Sequence, residues 1–127
     1  MPTDSEYQRL LAFRVQLRRF DQWSRQAAAE HGLTHAQHQL LLAICGHAGP
    51  NGPTIGDVAE YLLVKHHTAS ELVDRTCDLG LVERARDASD QRVVRLRLTG
   101  VGTAVLQALT AVHLEELRSL APLLDRI

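Results

Sequence analysis

The sequence predicts a mainly α-helical fold carrying one small β-hairpin. Three observations point there. Apolar residues recur at steps of three, four and seven through five segments, the spacing of one helix face. Thr34, Thr54 and Thr99 stand just ahead of three of those segments, and a threonine hydroxyl there accepts from the free amides of a first helical turn. From Val82 the apolar period drops to two, as in paired strands.

The first helix is expected from about Glu6 to Glu30, with Tyr7, Leu10, Phe13, Leu17, Phe20 and Ala27 on one stripe. Leu11, Val15 and Trp23 lie off that stripe, so the helix should have two neighbours. Gly32 suits a left-handed cap. After Thr34, Gln37 completes a capping box for the second helix, whose expected buried face is Leu40, Leu41, Ile44 and Cys45. "GHAGPNGP" stops it. Thr54 and Asp57 cap a third helix, with Ile55, Val58, Ala59, Leu62 and Leu63 at helical spacing. A few residues around 64–67 separate it from "TASELVDRTCDLGL". In that fourth helix Ala69, Leu72, Val73 and Thr76 face inward, while Thr68, Ser70, Glu71, Asp74 and Arg75 face outward. Gly80 ends it. Two short one-faced helices joined by a tight turn form a helix-turn-helix.

"LVERAR" and "RVVRLRLT" then flank the turn cluster "DASDQ". Val94, Leu96 and Leu98 point one way, and Val93, Arg95 and Arg97 the other. Thr99 caps a last helix reaching nearly to the end. Its apolar residues, from Val101 through Leu109 and Leu117 to Leu124, are too many for one stripe. Pairing the two terminal helices with those of a second copy covers the surplus. The chain therefore reads as one domain, 1–127. Residues of about 6–30 and 101–127 form a terminal-helix dimerisation region, and about 34–99 form a winged helix-turn-helix lobe.

Composition bounds the function. Of 127 residues, 45% are hydrophobic and 23% charged, the balance of a soluble globular domain rather than a disordered one. Aromatics are only 4%, so the core must be aliphatic. No apolar run approaches the roughly 20 residues of a membrane span. The N-terminus lacks a basic-then-apolar signal pattern, so a cytoplasmic location is expected. Cys45 and Cys77 form no CxxC and read as two small, part-buried residues. No Ser-His-Asp order, phosphate loop or dinucleotide fingerprint appears, and Glu115 and Glu116 do not converge on a helix. Neither catalysis nor a cofactor is expected.

The charge pattern is more telling. The chain has a formal net charge of -1, yet Arg84, Arg86, Arg92, Arg95 and Arg97 crowd the hairpin against only Asp87 and Asp90. A helix-turn-helix followed by a basic hairpin is a winged helix. It sets a helix beginning near His66 into a major groove of double-stranded DNA and its hairpin against a minor groove. A narrow minor groove has a negative potential that attracts guanidinium. Arg86, Asp90 and Arg92 are the wing candidates for DNA contact. Arg95 and Arg97 read equally well as a solvated strand face. On the helix the candidates are His66, His67, Thr68, Ser70 and Arg75. Arg75 has the fork suited to guanine, and Thr68 and Ser70 suit phosphates. Glu71 reads either as an acceptor from cytosine or as an i+4 partner of Arg75.

"LTHAQHQLL", "TIGDVAEYL", "TASELVDRTCDLGLVER" and "DASDQRVVRLRLTGVG" resemble, in order, the successive blocks of the MarR family of bacterial transcriptional regulators. The wing block is the most specific: Asp87, Asp90, Arg92, Leu98, Thr99 and Gly102 match a pattern of Asp-Pro-x-Asp-x-Arg followed by Leu-Thr-x-x-Gly. Ala88 replaces the usual proline, which predicts a looser wing tip. Thr76 replaces a usual leucine. The resemblance implies a homodimer on a pseudo-palindromic operator, with Arg92 in the minor groove and Asp90 holding it. It also implies a repressor relieved by a small ligand, an aromatic acid being the leading class. His38 would line the effector cleft, with Arg14 or Arg18 as carboxylate partners. Two alternatives remain: a metal-responsive regulator of the same fold, and a winged-helix module that binds protein instead of an operator. Some relatives sense zinc, and His31, His35, His38 and His113 raise that question, but no Cys-His or Glu-His block stands out, so no metal ligands are assigned. Redox sensing in the family uses a cysteine near the N-terminal helix, which has none here.

Overall fold

The computed structural model describes residues 1–126, so Ile127, the last residue of the expected dimerisation segment, lies outside the described residues. Its elements are α1 (Asp4–Glu30), α2 (His35–Gly46), α3 (Ile55–Leu62), α4 (His66–Asp78), β1 (Val82–Arg86), β2 (Val94–Leu98) and α5 (Gly100–Leu124).

Capping chemistry sets most boundaries. Thr34 with Gln37 and Thr54 with Asp57 form reciprocal capping boxes. Thr3 and Glu6 form a third, so α1 begins at Asp4, two residues before the expected start at Glu6. Gly32 and Gly80 take φ of +76° and +75°, as the left-handed turns after α1 and α4 require. Two expectations near α3 need correction. Leu63 does not extend its inner face: it caps the helix at φ 56° and is 90% exposed. That conformation turns the chain sharply and points the side chain to solvent. The fourth helix starts at His66, two residues before Thr68, because backbone hydrogen bonding reaches back to the Lys65 carbonyl without any side-chain cap.

One aliphatic core joins the elements. Ala28 of α1, Leu40 and Leu41 of α2, Val58 of α3, Ala69 and Val73 of α4, Leu96 of β2 and Leu109 of α5 are all fully buried. Thr76 is buried too, and its hydroxyl donates to the Leu72 carbonyl at 2.7 Å, which satisfies it within its own helix. Cys45 is exposed, against expectation. It shares a side of α2 with buried His38 but lies two turns further on, next to the helix end at Gly46. Cys77 is half-buried, and burial raises its thiol pKa.

The hairpin is antiparallel, with Val82 opposite Leu98 and Arg86 opposite Val94. Leu96 also donates to the Pro53 carbonyl at 2.8 Å, which ties the hairpin to the turn before α3. The tip carries no proline, yet side chains fasten it. The Asp87 carboxylate accepts from the Ser89 and Asp90 amides, both at 2.9 Å.

Thr99 docks the start of α5 onto the end of α4. Its hydroxyl donates to the Gly80 carbonyl at 2.6 Å and accepts from the Gly102 amide at 3.0 Å. A Cβ on Gly102 would stand 2.1 Å from the Leu81 carbonyl oxygen. The Leu-Thr-x-x-Gly pattern is thus a cap followed one turn later by a backbone contact. Gly102→Ala is expected to lower stability by about 1–3 kcal/mol, since the obstacle is backbone and cannot swing aside. A urea midpoint equal to that of the unsubstituted protein would contradict it.

The terminal helices keep uncovered apolar residues. Tyr7, Leu10, Leu11 and Leu17 of α1 and Val112, Leu114 and Leu117 of α5 are all at least 40% exposed. Among the described residues no helix is long and apolar enough to cross a membrane.

Candidate functional site

α4 presents His66, His67, Thr68, Glu71 and Arg75 to solvent, with Ser70 half-buried beside them. Glu71 and Arg75 form no salt bridge, so Arg75 has no ion-pair partner among the described residues. Thr68, Glu71 and Arg75 line a groove of about 350 Å³ between α4 and α2, with His35 and Gln39 on the opposite wall.

The wing is less freely basic than its sequence suggests. Four of its five arginines face a carboxylate. Arg84 of β1 reaches back to Asp74 of α4, tying the strand to the helix. Arg95 donates to Asp87 at 2.7 Å and to the Gly52 carbonyl at 3.0 Å. It therefore braces the wing tip against the turn before α3, which corrects its reading as a solvated strand residue. Arg97 pairs with Glu83 across the hairpin and stays exposed, as that reading expects. Arg86 donates to the Gln91 carbonyl at 2.7 Å.

Arg92 is different. Its Nε and Nη2 donate to the two oxygens of Asp90 at 3.0 and 3.1 Å, and its amide donates to the same carboxylate at 3.0 Å. The side chain is nonetheless 91% exposed. This bidentate pair lowers the Asp90 pKa and raises that of Arg92. An arginine so held projects from the tip with its orientation set in advance. Asp87 is likewise held low, by Arg95 first and then by the two amides it accepts.

A second cleft, of about 390 Å³, opens between α1, α2 and α5. Phe20, Asp21 and Ser24 come from α1, His35, His38, Gln39 and Leu42 from α2, and Thr110, His113, Leu114 and Leu117 from α5. His113 is locked in one tautomer. Its Nδ1 lies 2.7 Å from the Leu109 carbonyl and so donates, which leaves Nε2 to accept from Ser24 Oγ at 2.7 Å. The His38 ring lies 4.6 Å from that of His113, and Trp23 packs against His113 at 4.7 Å. His38 is only 3% exposed. Burial first, then the neighbouring His113, His35 and His31, pushes its pKa down to about 4. Burial and Arg25 also depress His35, whose Nδ1 is buried without a partner. His35 and Gln39 line both this cleft and the groove beside α4.

The structure thus puts His38 in a cleft but leaves Arg14 and Arg18 out of it. They line an adjoining depression on α1 with Leu17, Asp21, Gln22 and Arg25, and Asp21 is the residue it shares with the cleft. Helical periodicity turns them about a third of the way round α1 from Phe20 and Ser24. Among the described residues no group of three or more His, Cys, Asp or Glu is placed to hold a metal ion. Sequence reasoning missed Ser24, the Arg84–Asp74 tie and the Arg95 brace. Ser24 and His113 lie 89 positions apart, so no local pattern could have paired them. The alternation that put Arg95 and Arg97 on one strand face was legible, but their different partners were not.

Helix-turn-helix, hairpin, tied tip and long terminal helices together define a winged helix-turn-helix protein. Residues 31–93 match the model of the MarR family. In that stretch the chain is similar to the MarR family. The uncharacterized HTH-type transcriptional regulator YsmB of Bacillus subtilis is 34% identical over 67 residues, which are 53% of this chain and 46% of YsmB. The match thus spans under half the length of that relative. Among solved structures, the complex of Staphylococcus aureus MepR with DNA superposes at a TM-score of 0.74 and 25% identity, covering 96% of this chain and 85% of MepR. Apo MarR from E. coli shares the fold at a TM-score of 0.71 and 22% identity, over 91% of this chain and 82% of MarR.

Proposed function

We propose that this protein is a sequence-specific DNA-binding transcriptional regulator. It acts as a homodimer on a pseudo-palindromic operator in the cytoplasm, and as a repressor relieved by a small ligand. The observation that carries the DNA reading is the wing tip, where an almost fully exposed arginine is held bidentately by Asp90. A surface that merely repelled or attracted charge would not need that support. On α4, Arg75 reads base edges, while Thr68, Ser70, His66 and His67 meet phosphates. Arg86 supports the wing turn through Gln91 and adds charge near the tip. The dimer reading rests on the uncovered leucines of α1 and α5. MepR, which the chain resembles, is a transcription regulator of a multidrug efflux pump and has been solved on DNA.

The ligand reading rests on the cleft of about 390 Å³ beside the DNA-binding lobe. His38 forms its wall, and His35 and Gln39 pass from that cleft to the groove along α4. A ligand that binds one spacing of these helices better than another shifts the lobe accordingly. Tenfold relief needs about 1.4 kcal/mol of such differential binding.

The test is a fluorescence-anisotropy titration with two duplexes, one carrying an inverted repeat from beside the protein's own gene and one of random sequence. Preferential binding of the repeat, weakened by salt, is expected. Equal affinity for both duplexes would reject operator recognition, and no binding at low salt would leave a protein-interaction module.

A further inference from the structure

The face of α4 that the DNA reading sets into a major groove is acidic. Helical spacing puts His67, Glu71 and Arg75 on one line along it, with Asp74 and Asp78 beside them. All five are exposed, while Ala69, Val73 and Thr76 fill the opposite, buried side. Three carboxylates thus accompany one guanidinium on the surface that would meet phosphates and base edges.

The three acids differ in their surroundings. Asp74 is neutralised by Arg84, which reaches it from β1. Asp78 is the last residue of α4, away from the N-terminal half that meets base edges in such a helix. Glu71 stands mid-helix, at the centre of the outer face. Among the described residues it has no ion-pair partner. Arg75, one turn on, has none either, so the i+4 pair that their spacing permits is not formed.

A free carboxylate carried into the groove loses water and meets phosphate repulsion. A hydrogen-bond donor on a base edge offsets that cost. Guanine presents two acceptors there, N7 and O6, and thymine an acceptor and a methyl group, so neither donates to a carboxylate. Adenine presents its N6 amino group with the N7 acceptor beside it. Cytosine presents its N4 amino group with no acceptor next to it. Cytosine therefore matches a lone carboxylate best. Its partner guanine carries the two acceptors that the Arg75 fork matches. One helical turn separates Glu71 from Arg75 by about 6 Å along the axis, close to two base-pair steps.

We propose that Glu71 is a specificity-determining residue, accepting a hydrogen bond from the N4 amino group of a cytosine in each operator half-site while Arg75 reads a guanine on the same or a neighbouring base pair. The inference rests on reading α4 as the DNA-recognition helix and adds the base that its acidic centre selects. Glu71 then acts in two directions. On the operator its carboxylate gains a charge-assisted hydrogen bond. On a sequence lacking that cytosine it is left unpaired among phosphates, which weakens the wrong complex.

Selection by the unsubstituted protein from a pool of randomised duplexes gives the half-site, in which a required cytosine is expected. Glu71→Ala should lose that one preference and bind random duplex severalfold more tightly. Glu71→Gln should move the preference to adenine, whose N6 and N7 an amide matches. The sharpest measurement replaces the required cytosine by N4-methylcytosine. This base keeps its pairing with guanine but sets a methyl group where the major-groove N4–H was. It should weaken binding of the unsubstituted protein about tenfold and leave Glu71→Ala unaffected. Glu71 is exposed, so neither variant removes a core contact, and circular dichroism checks the helices. A selected half-site without a required cytosine overturns the proposal and leaves operator recognition standing. So do base preferences that survive Glu71→Ala, or an equal loss to N4-methylation in both proteins. Selection that enriches no sequence overturns operator recognition and the proposal with it.

Discussion

Leu10→Glu is expected to convert the protein to a monomer at micromolar concentration. Leu10 lies on the outer half of α1, where residues 4–12 are exposed throughout, and it is 55% exposed itself. Within one protomer the substitution therefore removes no core contact. In a two-fold dimer it places a carboxylate in the apolar seam twice, each at a desolvation cost of several kcal/mol. Leu120→Glu should also break the dimer, but Leu120 is half-buried within its own protomer, so a loss of fold would confuse the outcome. Sedimentation velocity reads the mass, and circular dichroism checks that the helices persist. A Leu10→Glu protein that sediments as a dimer would remove α1 from the interface. A monomer should also bind operator far more weakly, because each half-site is then engaged alone.

Asp90→Ala is expected to weaken operator binding although it removes a negative charge from the wing. Coulomb attraction alone predicts the opposite sign. The reason is geometric. Asp90 holds Arg92 through two side-chain hydrogen bonds and its amide through a third. Without them the guanidinium must give up its rotamer freedom on binding. Arg92→Ala should cost roughly ten- to hundredfold in affinity and lower the salt slope by about one unit. Arg97→Ala is the right control. Arg97 carries the same charge, is exposed and pairs with Glu83 away from the tip, so its loss should cost severalfold at most. Arg95 is not a valid control. It ties Asp87 to the Gly52 carbonyl, and its removal would loosen the tip itself. Titrations of the variants at one fixed salt decide the matter. If Asp90→Ala binds as tightly as the unsubstituted protein, or more tightly, the wing is only a basic surface.

These two expectations draw on different levels of information. The surplus of apolar residues on α1 and α5 is visible in periodicity alone, because each helix face can be counted without knowing its neighbour. The wing is partly visible. Alternation from Val93 to Leu98 gives the strand, and "DASDQ" gives the turn, but which carboxylate meets which arginine does not follow from spacing. Asp87 faces Arg95 eight positions away, and Asp74 faces Arg84 ten positions away on another element.

The sequence by itself determined the helices, most of their caps, the hairpin and the exposed face of α4. All of these rest on interactions within a few residues: a threonine and its i+3 partner, a glycine at positive φ, an apolar stripe of period 3.6 or 2. Only the tertiary structure decided the rest. It turned Leu63 and Cys45 outward, moved Arg14 and Arg18 away from the cleft and made Arg95 a brace. It also brought His38 against His113, the two rings tilted at 55°. Burial and charge pairing depend on what packs across from a residue, and packing partners come from distant parts of the chain, where local periodicity carries no record of them.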